Sequence, residues 1–197
     1  DKQAPDSMVP ADGSFPAIPA HKLVTISYMK VAWDAGDGVF RIEKVGSLSS
    51  KDLSEREMLV RFWRGLQKSA PKLVSWNGRT FDLPVLKYRS LIHCIPVPFN
   101  MMKANRYETY DNRYGEWHLD LMDIFADYGA SRSQGMDNIA SLCGLPGKIG
   151  GHGSEVAAMI ADGCDDQVEA YCECDVLNLY GLYLRWHYVF RNETFSK

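Results

Sequence analysis

The apolar and polar positions of the chain change their spacing several times, and each change predicts a different kind of element. Residues 23–33 and 39–45 are rich in β-branched and aromatic side chains, and the turn-forming residues Asp34–Gly38 lie between them. This pattern predicts a β-hairpin. Ser54-Glu55-Arg56-Glu57 is a capping box, and the apolar residues after it recur at helical spacing, which predicts a helix.

Beyond this helix, short apolar runs alternate with helical patterns. Strands are predicted at 73–76 and 118–122, and helices at 83–92, 136–142, 154–161 and 167–190. Two antiparallel strands followed by alternating helix and strand indicate an α/β domain with a mixed sheet. The proline-rich residues 1–20 predict an irregular lead-in, and residues 21–197 predict a single domain.

Composition is typical of a folded globular protein, with 46% hydrophobic and 24% charged residues among 197. The net charge of −3 gives no general attraction to nucleic acid, so phosphate binding would require a local basic patch or metal ions. No apolar stretch has the length of a membrane span. Five cysteines without a Cys-x-x-Cys pair suggest reduced thiols, and we expect a cytoplasmic protein.

Two short segments, Asn77–Asp82 and Tyr171–Asp175, carry the candidate chemistry. Asp82 follows an apolar run and precedes a helical pattern, which predicts a carboxylate at a strand-to-helix junction. Tyr171 and Asp175 are four residues apart in a helical pattern, so their side chains share one face. Asp175 falls within the apolar stripe of that helix, where a carboxylate requires a cation, a metal or a hydrogen-bond network.

Each aspartate also has a purely structural interpretation. Asp82 could be a helix N-cap, since Pro84 suits the first turn. Asp175 could form a salt bridge with an arginine, for which the candidates are Arg79, Arg89 and Arg185. The residues alone leave these alternatives open.

The order of the two segments resembles a known pattern. Asn-x-x-x-Phe-Asp followed by Tyr-x-x-x-Asp is similar to the second and third motifs of the tyrosine-type (DEDDy) 3′–5′ exonucleases, as in the proofreading domain of family-B DNA polymerases. Four stretches are similar, in order, to the predicted polymerase-B-like exonuclease family: residues 75–86, 118–123, 144–148 and 171–178. The resemblance extends from about His21 to the end of the chain.

The resemblance implies a ribonuclease H-like fold, a mixed β-sheet flanked by α-helices, in which four carboxylates bind two Mg²⁺ or Mn²⁺ ions. Asp82 and Asp175 would be two of these metal ligands. Tyr171 would orient or help to deprotonate the attacking water. The expected activity is two-metal-ion removal of nucleotides from the 3′ ends of single-stranded DNA, with RNA also possible.

Five further residues are expected to lie at the nucleic acid. Asn77 would hydrogen-bond the DNA end, Phe81 would support the site, and Arg79 would meet a phosphate. Core packing of Phe81 and a surface salt bridge of Arg79 are the structural alternatives.

The glycine-rich residues 144–153 lack the ending of a P-loop, and we interpret them as a loop whose Lys148, together with His152, contacts the DNA backbone. Asp120 is a candidate for orienting a neighbour of the site.

The first motif of these exonucleases, Asp-x-Glu on the first strand, is missing from the sequence. We expect this strand, with its acidic pair, to lie upstream of Asp1 and to occupy the middle of the sheet, between the hairpin and the later strands. Two rival hypotheses remain. One is a nuclease-derived module that binds nucleic acid without cutting it, and the other is a non-catalytic interaction domain.

Overall fold

The computed structural model describes residue 8 and residues 15–98, 109–147 and 155–191. The strands are β1 (Thr25–Asp34), β2 (Val39–Ser49), β3 (Leu73–Ser75) and β4 (His118–Asp120). The helices are α1 (Glu55–Ser69), α2 (Asp82–Ile92), α3 (Leu121–Phe125), α4 (Met136–Leu142), α5 (Val156–Ala161) and α6 (Asp165–Phe190). The predicted α/β class is therefore confirmed.

The predicted hairpin is confirmed, and its second strand is longer than predicted. β1 and β2 pair antiparallel from Thr25 opposite Ser49 to Asp34 opposite Val39, with one irregularity after Lys30. The Asp34 carboxylate accepts a hydrogen bond of 2.9 Å from the backbone N–H of Gly36, which closes the turn. The pairing continues to Ser49 because the start of β1 offers a partner to each of these residues.

The single mixed sheet that the sequence predicted is replaced, in the described part of the chain, by two two-stranded sheets. β3 and β4 pair in parallel, from Leu73 opposite His118 to Ser75 opposite Asp120. β4 is shorter than predicted because Asn77 has a left-handed backbone (φ 65°) that turns the chain away after β3. Residues beyond Asp120 then have no strand partner and start α3. The ribonuclease H-like arrangement remains a prediction.

Two apolar clusters form the core. The first joins α1 to α2, and its buried members include Leu59, Trp63 and Leu86. The second joins α6 to α4 and to the β3–β4 sheet, around Leu121 and Leu182. Helix α6 also packs against β1 and β2, so both sheets lie on the same helix.

The start of α6 and part of the lead-in differ from prediction. The capping box of α1 is confirmed, and Ser54 accepts from the Glu57 backbone. Helix α6 begins at Asp165, two residues before its predicted start. Residues Ile18–Ala20, predicted to be irregular, form one 3₁₀ turn with Pro19 in its first turn, where a fixed φ is compatible with helix. Ser154, the predicted cap of α5, lies outside the described residues.

A partly buried ion cluster ties the start of β1 to α1 and α2. The Glu55 carboxylate accepts hydrogen bonds from the Leu23 backbone N–H (2.8 Å) and Arg89 Nε (2.6 Å), and it lies 2.7 Å from His93 Nε2. Burial alone would raise the pKa of Glu55, but the Arg89, Leu23 and His93 contacts outweigh it and hold the pKa below its usual 4.5. Arg89 is only 3% exposed, so it depends on this carboxylate.

We predict that Glu55→Ala lowers the free energy of unfolding by about 3 kcal/mol at pH 7, because it leaves Arg89 buried without its carboxylate. Since the folded-state pKa of Glu55 is depressed, its contribution is complete above pH 4.5 and disappears as the pH falls through the folded-state pKa. Urea unfolding at both ends of that range measures the change.

Asp166→Ala is the matched control, because its ion pair with Lys51 is exposed and should contribute less than about 0.5 kcal/mol. Equal losses in the two variants would contradict the role given to Glu55.

Candidate active site

A tight turn after β3 carries the chain to Asp82, and the Asp120 carboxylate holds this turn. The Asn77 backbone N–H donates to Asp120 Oδ1 at 2.8 Å, and the Arg79 backbone N–H donates to Asp120 Oδ2 at 2.9 Å. Asp120 ends β4 and is 2% exposed. Both carboxylate oxygens therefore fix the backbone that leads into α2, in agreement with the orienting role expected for Asp120.

Gly78 lies at the closest approach within this turn. A Cβ atom at Gly78 would lie 2.5 Å from Ser75 Oγ and 3.5 Å from Asp82 Oδ2, so a larger residue would displace its neighbours. Ser75 Oγ lies 2.7 Å from His118 Nε2. Burial, with the nearby charge of Arg79, lowers the pKa of His118 to about 4, so this imidazole is neutral at pH 7.

Asp82 is the first residue of α2, and the N-cap interpretation is wrong. Phe81 occupies the cap position, and no side-chain cap hydrogen bond is formed. Surrounding protein displaces water from the Asp82 carboxylate and raises its pKa to about 6, and the charge of Asp120 adds to the rise. The residue itself is exposed, so solvent screening moderates this effect.

Tyr171 and Asp175 lie one turn apart on α6, as predicted, with Cys172 beside them. Burial raises the pKa of the Cys172 thiol, and the negative charges of Asp175 and Asp82 raise it further, against hydrogen bonds from Ser27. Asp82 and Asp175, which are distant in the sequence, therefore act on one thiol. Sequence reasoning missed Cys172, although its position three residues before Asp175 puts it on the same helix face.

The three arginines considered as partners of Asp175 are engaged with other groups. Arg79 donates to the carbonyl oxygens of Tyr110, Asp111 and His118, the last at 2.9 Å. Its Nε also lies 4.0 Å from Asp123 Oδ2. Arg89 binds Glu55, and Arg185 donates to the Cys143 carbonyl. The Arg79 guanidinium is thus held by backbone carbonyl oxygens and lies beside Asp123, and 14% of its side chain is exposed.

The other expected nucleic-acid contacts lie in different settings. Asn77 Oδ1 accepts from the Thr80 hydroxyl, so part of this side chain shapes the turn. Phe81 is half-buried outside the two core clusters, against His21 (ring centroids 5.1 Å apart) and Phe15 (5.6 Å). Sequence reasoning missed this aromatic contact with the lead-in. Lys148 and His152 lie outside the described residues.

The loop that precedes Lys148 is attached to α6 near Asp175. Asn178 Nδ2 donates to the Gly147 carbonyl at 2.7 Å, and the Gly147 backbone N–H donates to Asn178 Oδ1 at 3.0 Å. A Cβ atom at Gly181 would lie 2.9 Å from Leu145, so the loop packs directly on the helix backbone. The loop therefore has a fixed position relative to the helix.

Within the described ranges, no three His, Cys, Asp or Glu side chains are grouped so that they could hold a metal ion. Asp82 and Asp175 would supply two of the four carboxylates that the resemblance implies as metal ligands. Their donor chemistry suits hard divalent cations, which prefer carboxylate oxygens. Loss of water around the Asp82 carboxylate raises its pKa, and a nearby cation would oppose this rise.

The sequence model of a protein family matches residues 13–195, a span that contains every residue of this candidate site. The family is described as a predicted 3′–5′ exonuclease related to the exonuclease domain of PolB. The chain belongs to this family. No curated protein matches it. Among the described helices of this family member, none is long and apolar enough to cross a membrane.

We predict that Asp82→Asn stabilises the metal-free protein at pH 8. The folded-state pKa of about 6 exceeds the usual 3.8, so ionisation of Asp82 destabilises the fold as the pH rises between these values. Asparagine does not ionise. After allowance for screening at this exposed residue, the gain is about 1 kcal/mol at pH 8 and disappears near pH 4.

Asp123→Asn is the matched control with the opposite sign. A hydrogen bond from Arg113 holds the pKa of Asp123 below its usual range, so this variant should lose stability at pH 8. Urea unfolding in EDTA compares the two variants. A less stable Asp82→Asn protein at pH 8 would show that the carboxylate is structural.

Proposed function

We propose that this chain is the nuclease domain of a metal-dependent 3′–5′ exonuclease that removes nucleotides from single-stranded DNA ends. The proposal rests on the family match, whose span contains Asp82 and Asp175, and on the electrostatic effect that both carboxylates have on the Cys172 thiol. Family membership over residues 13–195 supports the reaction class. RNA is a second possible substrate, since a backbone reaction needs no base readout.

Asp82 and Asp175 are the proposed metal ligands, with Mg²⁺ or Mn²⁺ as the cations. When bound, two such ions stabilise the attacking and leaving oxygens of an in-line displacement at phosphorus. Asp120 does not compete for this role, because both its oxygens accept backbone hydrogen bonds. It would instead keep Asp82 at a constant position while substrate enters.

Tyr171 is the proposed residue that orients the attacking water. It precedes Asp175 by one helical turn, so its phenol lies on the face that carries the carboxylate. A phenol at this position can hold a water proton by hydrogen bonding, and such proton contacts typically contribute 10²- to 10⁴-fold to rate.

The substrate contacts proposed around these residues are Asn77, Arg79, Phe81 and Lys148. Asn77 and Phe81 precede Asp82 in one turn, in which the Phe81 backbone N–H donates to the Asn77 carbonyl oxygen at 3.0 Å, and this supports contact with the terminal nucleotide. Arg79 would act on phosphate through its positive charge while its hydrogen bonds hold the turn.

The α/β class and the family also support a ribonuclease H-like arrangement of the sheet, and we propose a cytoplasmic location.

A nuclease-derived module that binds nucleic acid without cutting it is the second candidate. The observation that favours it is that fewer than three potential ligands are grouped within the described ranges. The two candidates differ in one measurable property, which is metal-dependent shortening of a DNA strand.

The test is incubation of the protein that contains this chain with 5′-labelled single-stranded DNA and Mn²⁺. We expect a ladder of shortened products, which Asp82→Asn and Asp175→Asn reduce by at least about 10³-fold and Tyr171→Phe by about 10²-fold. EDTA should abolish all shortening.

Asp37→Asn, at the exposed hairpin turn, is the control that should retain full activity. DNA binding by wild type without any metal-dependent shortening would defeat the exonuclease proposal in favour of the binding module. Equal activity of Asp175→Asn and wild type would remove Asp175 from the site.

A further inference from the structure

The outer side of helix α1 carries a row of positive charge. Arg61, Arg64 and Lys68 follow one another at intervals of three and four residues, so their side chains share one side of the helix. Arg56 flanks this row in the first turn of the helix. All four residues are exposed, and together we call them the basic face.

The basic face is turned away from the core of the protein. Leu59, Trp63 and Leu66, on the opposite side of α1, are buried in the cluster that joins α1 to α2. A helix with its side chains is about 10 Å across, so the row lies about one helix diameter from α2. Asp82 begins α2. The basic face therefore lies apart from this candidate carboxylate.

Cations on other elements are neutralised by carboxylates, whereas those of the basic face are not. Ion pairs form between Lys30 and Glu43, Lys51 and Asp166, and Lys87 and Asp111. Within the described residues, no side chain of the basic face forms an ion pair. The row therefore keeps its positive charge available to a partner.

The two acidic residues of α1 are engaged at the start of the helix. Glu55 binds Arg89, and Glu57 accepts a hydrogen bond of 2.7 Å from the Ser54 hydroxyl. Hydrogen bonds from Ser54 hold the pKa of the Glu57 carboxyl below its usual range, and the charge of Arg61 lowers it further. Glu57 thus offsets part of one positive charge in the row.

The basic face is unfavourable for the helix by itself. Like charges four residues apart repel, as Arg64 and Lys68 do, and positive charge in the first turn, such as that of Arg56, opposes the helix macrodipole. Local choices that oppose the fold occur mainly at functional sites. A bound polyanion would neutralise this repulsion.

The chemistry of the row matches a chain of phosphates. Arg56, Arg61 and Arg64 line one surface cleft, together with Val60 and Glu57. A guanidinium group can bind phosphate through two parallel hydrogen bonds. Between the first and last members of the basic face the helix advances about 18 Å, which is longer than one phosphate group. In a chain with a net charge of −3, such a local patch is required to attract a polyanion.

We propose that the basic face binds the phosphate backbone of single-stranded DNA at a distance from the 3′ end that is cut. This inference rests on the proposed function and adds a second contact with its substrate. A strand in the candidate site reaches the basic face only if it is long enough to pass around α1. Longer strands therefore bind more tightly, through charge rather than sequence.

The test measures fluorescence anisotropy in EDTA with the protein that contains this chain, using single strands of about 6 and about 30 nucleotides. One variant combines Arg61→Gln, Arg64→Gln and Lys68→Gln. Each phosphate contact in a single strand contributes about 0.7 to the slope of log K against log salt, so the slope for the long strand should fall by about 2. Its affinity at low salt should fall at least about tenfold. The short strand should bind both proteins equally, whether measurably or not.

The matched control combines Lys30→Gln, Lys44→Gln and Arg132→Gln. It removes the same charge from exposed residues of the hairpin and of the segment before α4, and it should bind the long strand as wild type does. A second variant, Arg61→Lys with Arg64→Lys, keeps the charge and should retain most of the salt dependence.

Thermal unfolding checks that the triple variant of the basic face is folded. Its unfolding temperature should equal or exceed that of wild type, because like charges are removed from one side of the helix. A weaker affinity for the long strand in a variant of unchanged stability then reports on DNA contact alone.

An unchanged salt slope in the triple variant would overturn the proposal and would indicate an acidic protein as the partner of the basic face. Equal losses in the control variant, equal weakening for both strands, or no binding of the long strand by wild type at low salt would also overturn it.

The cleavage assay separates this inference from the proposed function. Binding of the long strand through the basic face by a protein that never shortens DNA would defeat the exonuclease proposal and leave the basic face in place. Shortening of long strands with the same KM in wild type and the triple variant would do the reverse.

Discussion

Helix α6 is the element on which the rest of the structure depends, because it packs against both sheets. It contacts β1 and β2 of the hairpin and also β3 of the parallel pair. Neither two-stranded sheet has enough strands to be stable alone. The apolar face of α6 therefore joins these two sheets, as direct strand pairing joins the strands of a continuous sheet. Tyr171 and Asp175 belong to the same helix, so the candidate chemistry lies where the two halves of the domain meet.

Asp82, Asp120 and Asp175 lie near this junction, and their roles differ because their surroundings differ. Asp120 is buried and uses its charge on two backbone N–H groups, which stabilises a turn. Asp82 is exposed and lies where its negative charge is disfavoured. Asp175 reaches the same region from a helix face. Ionisation of Asp82 is therefore disfavoured, and groups with a pKa shifted in this way are common at functional sites.

Local chemistry explains which elements could be predicted from the sequence. The capping box at Ser54, the turn at Asp34–Gly38 and the spacing of α6 each depend on near neighbours in the chain, and the structure has all three. The hydrogen bonds of Arg79 and the contact of Phe81 with Phe15 join distant residues. No periodicity encodes them, so the sequence offered a phosphate contact and a surface salt bridge for Arg79 but not its hydrogen bonds to backbone carbonyls.

The division into two sheets was beyond sequence reasoning for the same reason. An apolar run such as 73–76 predicts a strand, but it does not indicate which other strand it will pair with. Asn77, which has a left-handed backbone, ends β3 and so limits the length of its partner β4. Asparagine is also common in ordinary turns, so its presence did not indicate this effect. For the site, the spacing of Tyr171 and Asp175 predicted a shared face, whereas the electrostatic effect of Asp82 and Asp175 on Cys172 joins distant segments and has no signal in the sequence.

The clamp between Asn178 and Gly147 has a consequence for how this domain can diversify. Because Gly147 is bound to α6 three residues beyond Asp175, the chain leaves the helix from a fixed point. Insertions, deletions or grafted sequences after Gly147 therefore start from a point that two hydrogen bonds hold on α6, on the helix that carries Asp175.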